Sequence, residues 1–156
     1  LELHPTDFDL PEFVRGVAQF FAPRAREKGL RLESEPAPDL PQHVRGDAQR
    51  LRQVCYNLLG NAVKFTQRGG VVFAVSRVDD RVRFSVSDTG PGISPADQER
   101  LFEPFAQIGD RARHAEGTGL GLNVSRGILE QMGARLQLES RPGWGSRFWF
   151  EVALPA

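Results

Sequence analysis

Three groups of residues in this chain have types and spacings that suit chemistry. The first is a stripe in which Arg50, Gln53, Asn57, Asn61 and Lys64 recur every three or four positions. It lies beside an apolar set formed by Leu51, Val54, Cys55, Leu58, Ala62 and Phe65. A solvated helix flank is usually built from Glu, Lys and Arg, which form helices well, whereas Asn is a poor mid-helix residue. Two Asn at i and i+4 point the same way and place neutral oxygen acceptors beside the Lys64 cation. That set suits a hydrated magnesium ion and the phosphates it bridges, since magnesium takes oxygen ligands and keeps several waters. A solvated flank is the other reading of the same stripe.

The second group centres on Asp88. Val82, Phe84 and Val86 alternate with Arg83, Ser85 and Ser87, the period of a half-buried strand, and Asp88 continues on the apolar side. A buried carboxylate without a partner is costly, so Asp88 needs a strong donor, and the exocyclic amino group of a purine is one. Thr89-Gly90-Pro91-Gly92 follows at once, and its two glycines permit close backbone approach. An Asp that merely opens a turn is the competing reading, and the residues leave both open. The third group is Gly117-Thr118-Gly119-Leu120-Gly121-Leu122, ahead of a long helical pattern. Backbone N–H groups at a helix N-terminus attract phosphate, and glycines let it come close. The run lacks the Lys-Ser/Thr ending of a P-loop and the third glycine of a dinucleotide fingerprint. A structural glycine turn competes; the nearby Arg113 and the Asp88 pocket favour phosphate.

The elements that must position these groups can be read from periodicity and punctuation. Residues 1–10 look extended, and Pro11 suits the first turn of a helix reaching about Lys28, with Gly29 as its stop. A strand near 30–35 follows, and Pro36, Pro38 and Pro41 keep the next stretch irregular. Asp47 is a good N-cap for the helix that carries the stripe and ends near Phe65. Two strands, about 71–78 and 81–87, turn at Asp79-Asp80 and lead to the loop at 88–93. A short helix is expected from Pro95 to Leu101, then a polar segment at 106–117 with Arg111, Arg113 and His114. A third long helix spans about 119–132 and stops at Gly133; strands at about 134–140 and 146–153 close the chain. The mixture predicts one sheet covered on one face by helices.

Composition bounds the function. The chain has 156 residues, 40% hydrophobic and 26% charged, which is one globular domain. Twenty Lys and Arg balance 20 Asp and Glu, so the formal net charge of zero gives no electrostatic reason for a nucleic-acid surface or polybasic membrane patch. The one cysteine, Cys55, rules out an internal disulfide or a cysteine-based zinc site and reads as a small core residue. No stretch approaches the roughly 20 apolar residues of a membrane span. The absence of a signal peptide and the start on Leu1 read as a soluble, cytoplasmic fragment of something longer.

Taken in order, these segments resemble the catalytic ATP-binding domain of bacterial sensor histidine kinases, within the superfamily that includes gyrase, Hsp90 and MutL. Asp47–Thr66 (DAQRLRQVCYNLLGNAVKFT) is similar to the asparagine box, and Asp88–Ile93 (DTGPGI) to the first glycine box. Phe102–Phe105 (FEPF) is similar to the phenylalanine box and Gly117–Leu122 to the second glycine box. Gly143–Ser146 (GWGS) with Phe148 is similar to the last glycine box, and Phe21–Leu32 to the family's first helix. Each motif is weak alone; the ordered set over about 8–154 is specific.

The resemblance implies an α+β fold, a two-layer α/β sandwich of the Bergerat type: a mixed sheet of about five main strands covered on one face by three helices, forming one domain over 1–156. It implies ATP and Mg2+ as cofactors. Asp88 would accept from the adenine amino group, Asn61 would hold the metal, and Asn57, Lys64 and Arg113 would form the catalytic set. Nucleotide contacts would fall on Asn57, Asn61, Lys64, Asp88, Gly90, Gly92, Ile93, Arg113, Gly117, Thr118, Gly119, Leu120, Gly121, Leu122 and Ser146. The hydrolytic relatives place a water-activating Glu where Asn57 stands. An amide is no general base at neutral pH, which favours phosphate delivery to a histidine over a clamp-type ATPase. A non-catalytic nucleotide-sensing module is the third possibility. Two departures, Glu116 before Gly117 and Asn123 in place of a small residue, bear on the lid. His4, His43 and His114 lie outside any helical His-acid pairing, so the acceptor histidine is expected on dimerisation helices upstream, docking near Phe102–Phe105. A response-regulator receiver is the expected downstream partner, with no nucleic acid, a monomeric isolated domain and a homodimeric parent.

Overall fold

The computed structural model describes residues 2–101 and 121–156. Strand β1 (Thr6–Asp9) runs directly into helix α1 (Leu10–Glu27). Asp9 is the N-cap, accepting from the Glu12 N–H at 2.8 Å, and Pro11 occupies the first turn, where its missing N–H costs nothing. The buried face of α1 is Leu10, Phe13, Val14, Val17, Phe21 and Ala25. Pro23 is tolerated inside this helix on its exposed side, and the helix ends at Lys28, with Gly29 at a φ of 72°.

Strands β2 (Arg31–Pro36) and β3 (His43–Gly46) precede α2 (Ala48–Phe65). Asp47 caps α2 as expected, accepting from the Arg50 N–H at 3.0 Å, and also takes the His4 N–H at 2.8 Å. At the other end, Lys28 Nζ donates to the Val63 and Lys64 carbonyls at 2.7 and 2.8 Å, placing a cation on the last turn's free acceptors. The buried set of α2 is Leu51, Val54, Cys55, Leu58, Leu59, Ala62 and Val63. Leu59 and Val63 join the expected stripe because the helix meets the sheet along a wider face, and Phe65, the last residue of the helix, is only half-buried.

Strands β4 (Gly70–Val78) and β5 (Arg81–Asp88) form a hairpin through Asp79, which has a positive φ of 57°. After α3 (Pro95–Arg100, capped by Ser94) comes α4, described over Gly121–Gln131, then β6 (Gln137–Arg141) and β7 (Gly145–Ala153). The main sheet has the order β2-β4-β5-β7-β6, with β2 parallel to β4 and every other pair antiparallel. Phe84 stacks on Phe150 at 5.2 Å beneath the helices. On the opposite face Arg83 pairs with Glu151 at 2.6 Å, and Arg147 lies 4.5 Å over the Trp149 ring while bonding Ser85. The sheet is thus apolar on the helix side and polar on the other, the one-sided covering expected from the mixture of helices and strands and the two-layer sandwich that the resemblance implies.

Two details depart from the sequence reading. The stretch after the prolines contains β3, which pairs antiparallel with β1 in a second, two-stranded sheet. Strand β6 begins at Gln137 rather than near residue 134, because Ala134 still donates its N–H to the Leu129 carbonyl as the helix terminates. Among the described residues no helix is long and apolar enough to cross a membrane.

Candidate functional site

Asp88 is the last residue of β5, flanked by Val71 on β4 and Ser146 on β7. Its strand period puts it on the helix side, in line with Val82, Phe84 and Val86. Burial pushes its carboxyl above the ordinary aspartate range, and backbone N–H groups of Gly90 and Ser146 partly offset that by stabilising the anion. The Gly90 bond is 2.9 Å long. Asp88 is thus an acceptor held in place by the backbone, half-buried, and with no cation beside it among the described residues.

The loop after Asp88 is fastened from several directions. The Thr89 hydroxyl donates to the Arg68 carbonyl at 2.8 Å and accepts from the Gly70 N–H at 3.1 Å. The Ile93 N–H donates to Ser140 Oγ at 2.8 Å, and Gln98 Nε2 reaches the Ile93 carbonyl at 2.8 Å. Ser140 Oγ lies 2.7 Å from Ser146 Oγ and donates to the Gly145 carbonyl at 3.0 Å, which leaves Ser146 as the donor of the pair. Gly143 N–H bonds the Pro91 carbonyl at 2.8 Å, so the β6–β7 turn is latched to the loop. Gly92 has a φ of 75°, and a Cβ there would overlap the Arg141 carbonyl. Gly145, at a φ of 120°, is equally constrained against the Asp88 carbonyl. Asp88, Gly90, Gly92, Ile93 and Ser146 therefore belong to one assembly. Ser140 and Gln98 were invisible to sequence reasoning, since their partners lie 47 and 42 positions or so away in the chain or across a loop.

Thr66 is a second residue that sequence reasoning passed over. It caps α2, is fully buried, and its hydroxyl has no partner among the described residues. A Cβ built on Gly90 would stand 3.2 Å from this hydroxyl and 3.0 Å from Asp88 Oδ1, so both oxygens border the same glycine. An unpaired buried hydroxyl is destabilising, while a methyl of the same shape is not. Thr66→Val is expected to leave the thermal midpoint of the ligand-free chain unchanged or to raise it, a stabilisation of up to about 1 kcal/mol. A fall in the midpoint on calorimetric melting would show that the hydroxyl is already satisfied.

The stripe on α2 is present as read: Asn57, Asn61 and Lys64 are all half-buried on one side of the helix. Arg50 and Gln53, two members of that stripe, bond each other at 3.2 Å. Lys64 Nζ sits 5.2 Å from the Phe65 ring centre. Asn57 reaches across to α4, where its Nδ2 donates to the Gly121 carbonyl at 3.2 Å and to Ser125 Oγ at 2.9 Å. Leu122 packs half-buried against the core. One end of the stripe therefore touches α4, and the other end meets the Asp88 loop, where Gly90 lies against Thr66 and the Phe65 carbonyl. Cys55 is buried behind the stripe, and that burial pushes its thiol up, consistent with a core role. Arg111, Arg113, His114, Glu116, Gly117, Thr118, Gly119, Leu120 and the Phe102–Phe105 segment lie outside the described residues.

Comparison with known proteins places this geometry in a family. Residues 46–156 match the model described as histidine kinase-, DNA gyrase B-, and HSP90-like ATPase. The sensor histidine kinase AruS of Pseudomonas aeruginosa is 46% identical over 154 residues, covering 95% of this chain and 15% of that protein. Full-length ShkA, solved in complex with AMPPNP, superposes with a TM-score of 0.88 at 39% identity, covering 100% of this chain and 32% of that one. The catalytic domain of the histidine kinase ThkA, nucleotide-free, gives 0.81 at 31% identity over 98% of this chain and 96% of its own. ThkA is also solved in complex with the response regulator TrrA, with a TM-score of 0.78 at 30% identity over 96% of this chain and 42% of that one. The chain belongs to the histidine kinase-, DNA gyrase B- and HSP90-like ATPase family, as an ATPase domain of the sensor histidine kinase kind. It spans only a small part of the full-length curated relatives it matches.

Proposed function

We propose that this chain, as a single catalytic domain, binds Mg-ATP and delivers the γ-phosphoryl group to a histidine on separate dimerisation helices. The observation that carries this reading is the layout of α2. Its polar side runs from Asn57, bonded to α4, to Thr66, beside Gly90 and Asp88. Nine residues of helix span about 13 Å, comparable with a nucleoside triphosphate laid along it. The base end is Asp88, which would accept from the adenine amino group, with Gly90, Gly92, Ile93 and Ser146 shaping the pocket. The phosphate end is Asn57 and Asn61, with Lys64 further along the helix on a stem long enough to reach the same phosphates, joined by Arg113 and the Gly117–Leu122 segment that the family resemblance assigns to nucleotide contact.

The donor set at the phosphate end fits magnesium. Asn61 offers a neutral oxygen on a half-buried helix face, and magnesium characteristically takes one or two protein ligands and completes its shell with phosphates and water. When bound, the ion would neutralise phosphate charge. Lys64 adds a cation to the same end. Asn57 replaces a base with an amide, which can accept a hydrogen bond from water but cannot take its proton at neutral pH. Positioning without hydrolysis is what phosphoryl delivery requires. The AMPPNP complex of ShkA supports the nucleotide, and the ThkA–TrrA complex supports a response-regulator partner for the parent protein. A cytoplasmic setting and a homodimeric parent fit the same reading.

Asn61→Ala tests it. The variant is expected to keep the wild-type circular dichroism spectrum and to transfer phosphate to a supplied histidine-helix fragment at least about 100-fold more slowly. Full transfer by this variant would remove Asn61 from the metal site.

A further inference from the structure

Ser125 has no part in the assignments above, yet it is fully buried, polar, and bonded across the α2–α4 contact. Its partner is Asn57, whose side-chain amide has two flip states that differ only in which branch carries oxygen. Here the chemistry of the partners decides between them. The Gly121 carbonyl can only accept, so the Asn57 atom 3.2 Å from it must be the NH2 group. Ser125 Oγ takes the second proton of the same nitrogen at 2.9 Å. Both donors of the amide are thereby spent on α4. The one hydrogen-bonding atom left is Oδ1, on the other branch of the planar group, with no partner on α4 among the described residues.

We propose that Ser125 is a positioning residue for metal-bound nucleotide: with the Gly121 carbonyl it locks the Asn57 amide so that its oxygen accepts from a magnesium-bound water. This rests on the reading of the Asn57–Asn61 face as the metal side. Water on magnesium is a donor, so an acceptor oxygen one helical turn from Asn61 holds the hydrated ion, whereas an NH2 group there repels it. The lock belongs to α4, so the helix behind the phosphates also sets the acceptor in front of the metal. Groups that hold a ligand's partner in orientation, without touching the metal, commonly alter metal affinity by 10- to 100-fold, on the order of what is expected here.

The test uses the whole chain and three variants, with the affinity for AMPPNP titrated by calorimetry against magnesium and again in EDTA. Ser125→Ala should raise the magnesium concentration for half-maximal AMPPNP affinity about tenfold, leave the EDTA affinity unchanged, and melt cooperatively. Ser125→Thr keeps the acceptor and should restore wild-type magnesium dependence. Wild-type magnesium dependence in Ser125→Ala overturns the proposal, as does an equal loss of affinity with and without magnesium, which would mark an ordinary packing role. Asn61→Ala serves as the reference. If it too leaves the magnesium dependence unchanged, the metal assignment itself fails and the proposal falls with it.

Discussion

Asp88→Asn is expected to weaken ATP and ADP binding by about 10- to 100-fold, the loss of one charge-assisted hydrogen bond, while making the ligand-free chain more stable. The two effects share one cause. The carboxylate has lone pairs enough for the Gly90 and Ser146 N–H groups and for a purine amino group besides. The amide has one oxygen for all three donors, and its NH2 faces at least one of them. Binding therefore suffers even though the shape is kept. Stability moves the other way because burial penalises the charged form of Asp88. With its folded pKa raised above the unfolded value, the folded state binds more protons in the interval between the two, so stability falls as pH rises through that interval. Above it the penalty is fully present, and the amide lacks it. Melting curves from pH 3 to 8 should thus show a flatter pH profile for the variant and a higher midpoint near neutrality. Undiminished affinity in calorimetry would sink the adenine assignment; a midpoint below wild type at pH 7 would sink the account of burial.

Gly92→Ala should be among the most damaging single-methyl changes in the described part of the chain. The new Cβ would run into backbone, the Arg141 carbonyl, at a φ that L side chains rarely adopt. Backbone cannot swing aside as a side chain can, so the β6–β7 turn must move off the Asp88 loop and break the Gly143–Pro91 bond. A loss of more than about 2 kcal/mol is expected, with nucleotide affinity lost alongside. Gly127→Ala makes the contrast. That glycine lies in α4, a Cβ there meets nothing within 4 Å, and the helix should gain up to about 1 kcal/mol. Urea titrations of both variants give the comparison; a small cost at Gly92 would mean the turn and the loop are not rigidly latched.

Legibility of these features in the sequence follows their range. Local rules suffice for some: Asp47 before an amphipathic run locates α2, and the period of β5 puts Asp88 on the apolar side. The apolar set read from the sequence lacks Leu59 and Val63, because a helix lying on a sheet buries a broader arc than one stripe predicts, while Phe65, the last residue of α2, is only half-buried. Strand β3 escaped notice since four residues after three prolines have no periodicity; pairing with β1, nearly 40 positions away, makes it a strand. The same limit hid the finer parts of the site. Asn57 was readable as polar and out of place, but its two acceptors on α4 lie 64 and 68 positions on. Thr66 is orphaned only because of what surrounds it, which no spacing rule records.

Among the described residues the sheet ends on two strands, and both are built to resist chain-to-chain growth. Strand β2 lies at one end of the order and carries exposed Glu33 and Glu35 before closing on Pro36. Strand β6, at the other, is five residues long and exposes Glu139 and Arg141. Charge, brevity and proline all discourage a foreign strand from adding to an edge. Copies of this domain crowded together should therefore stay soluble, free of the fibrous self-recognition that an unguarded flat border invites.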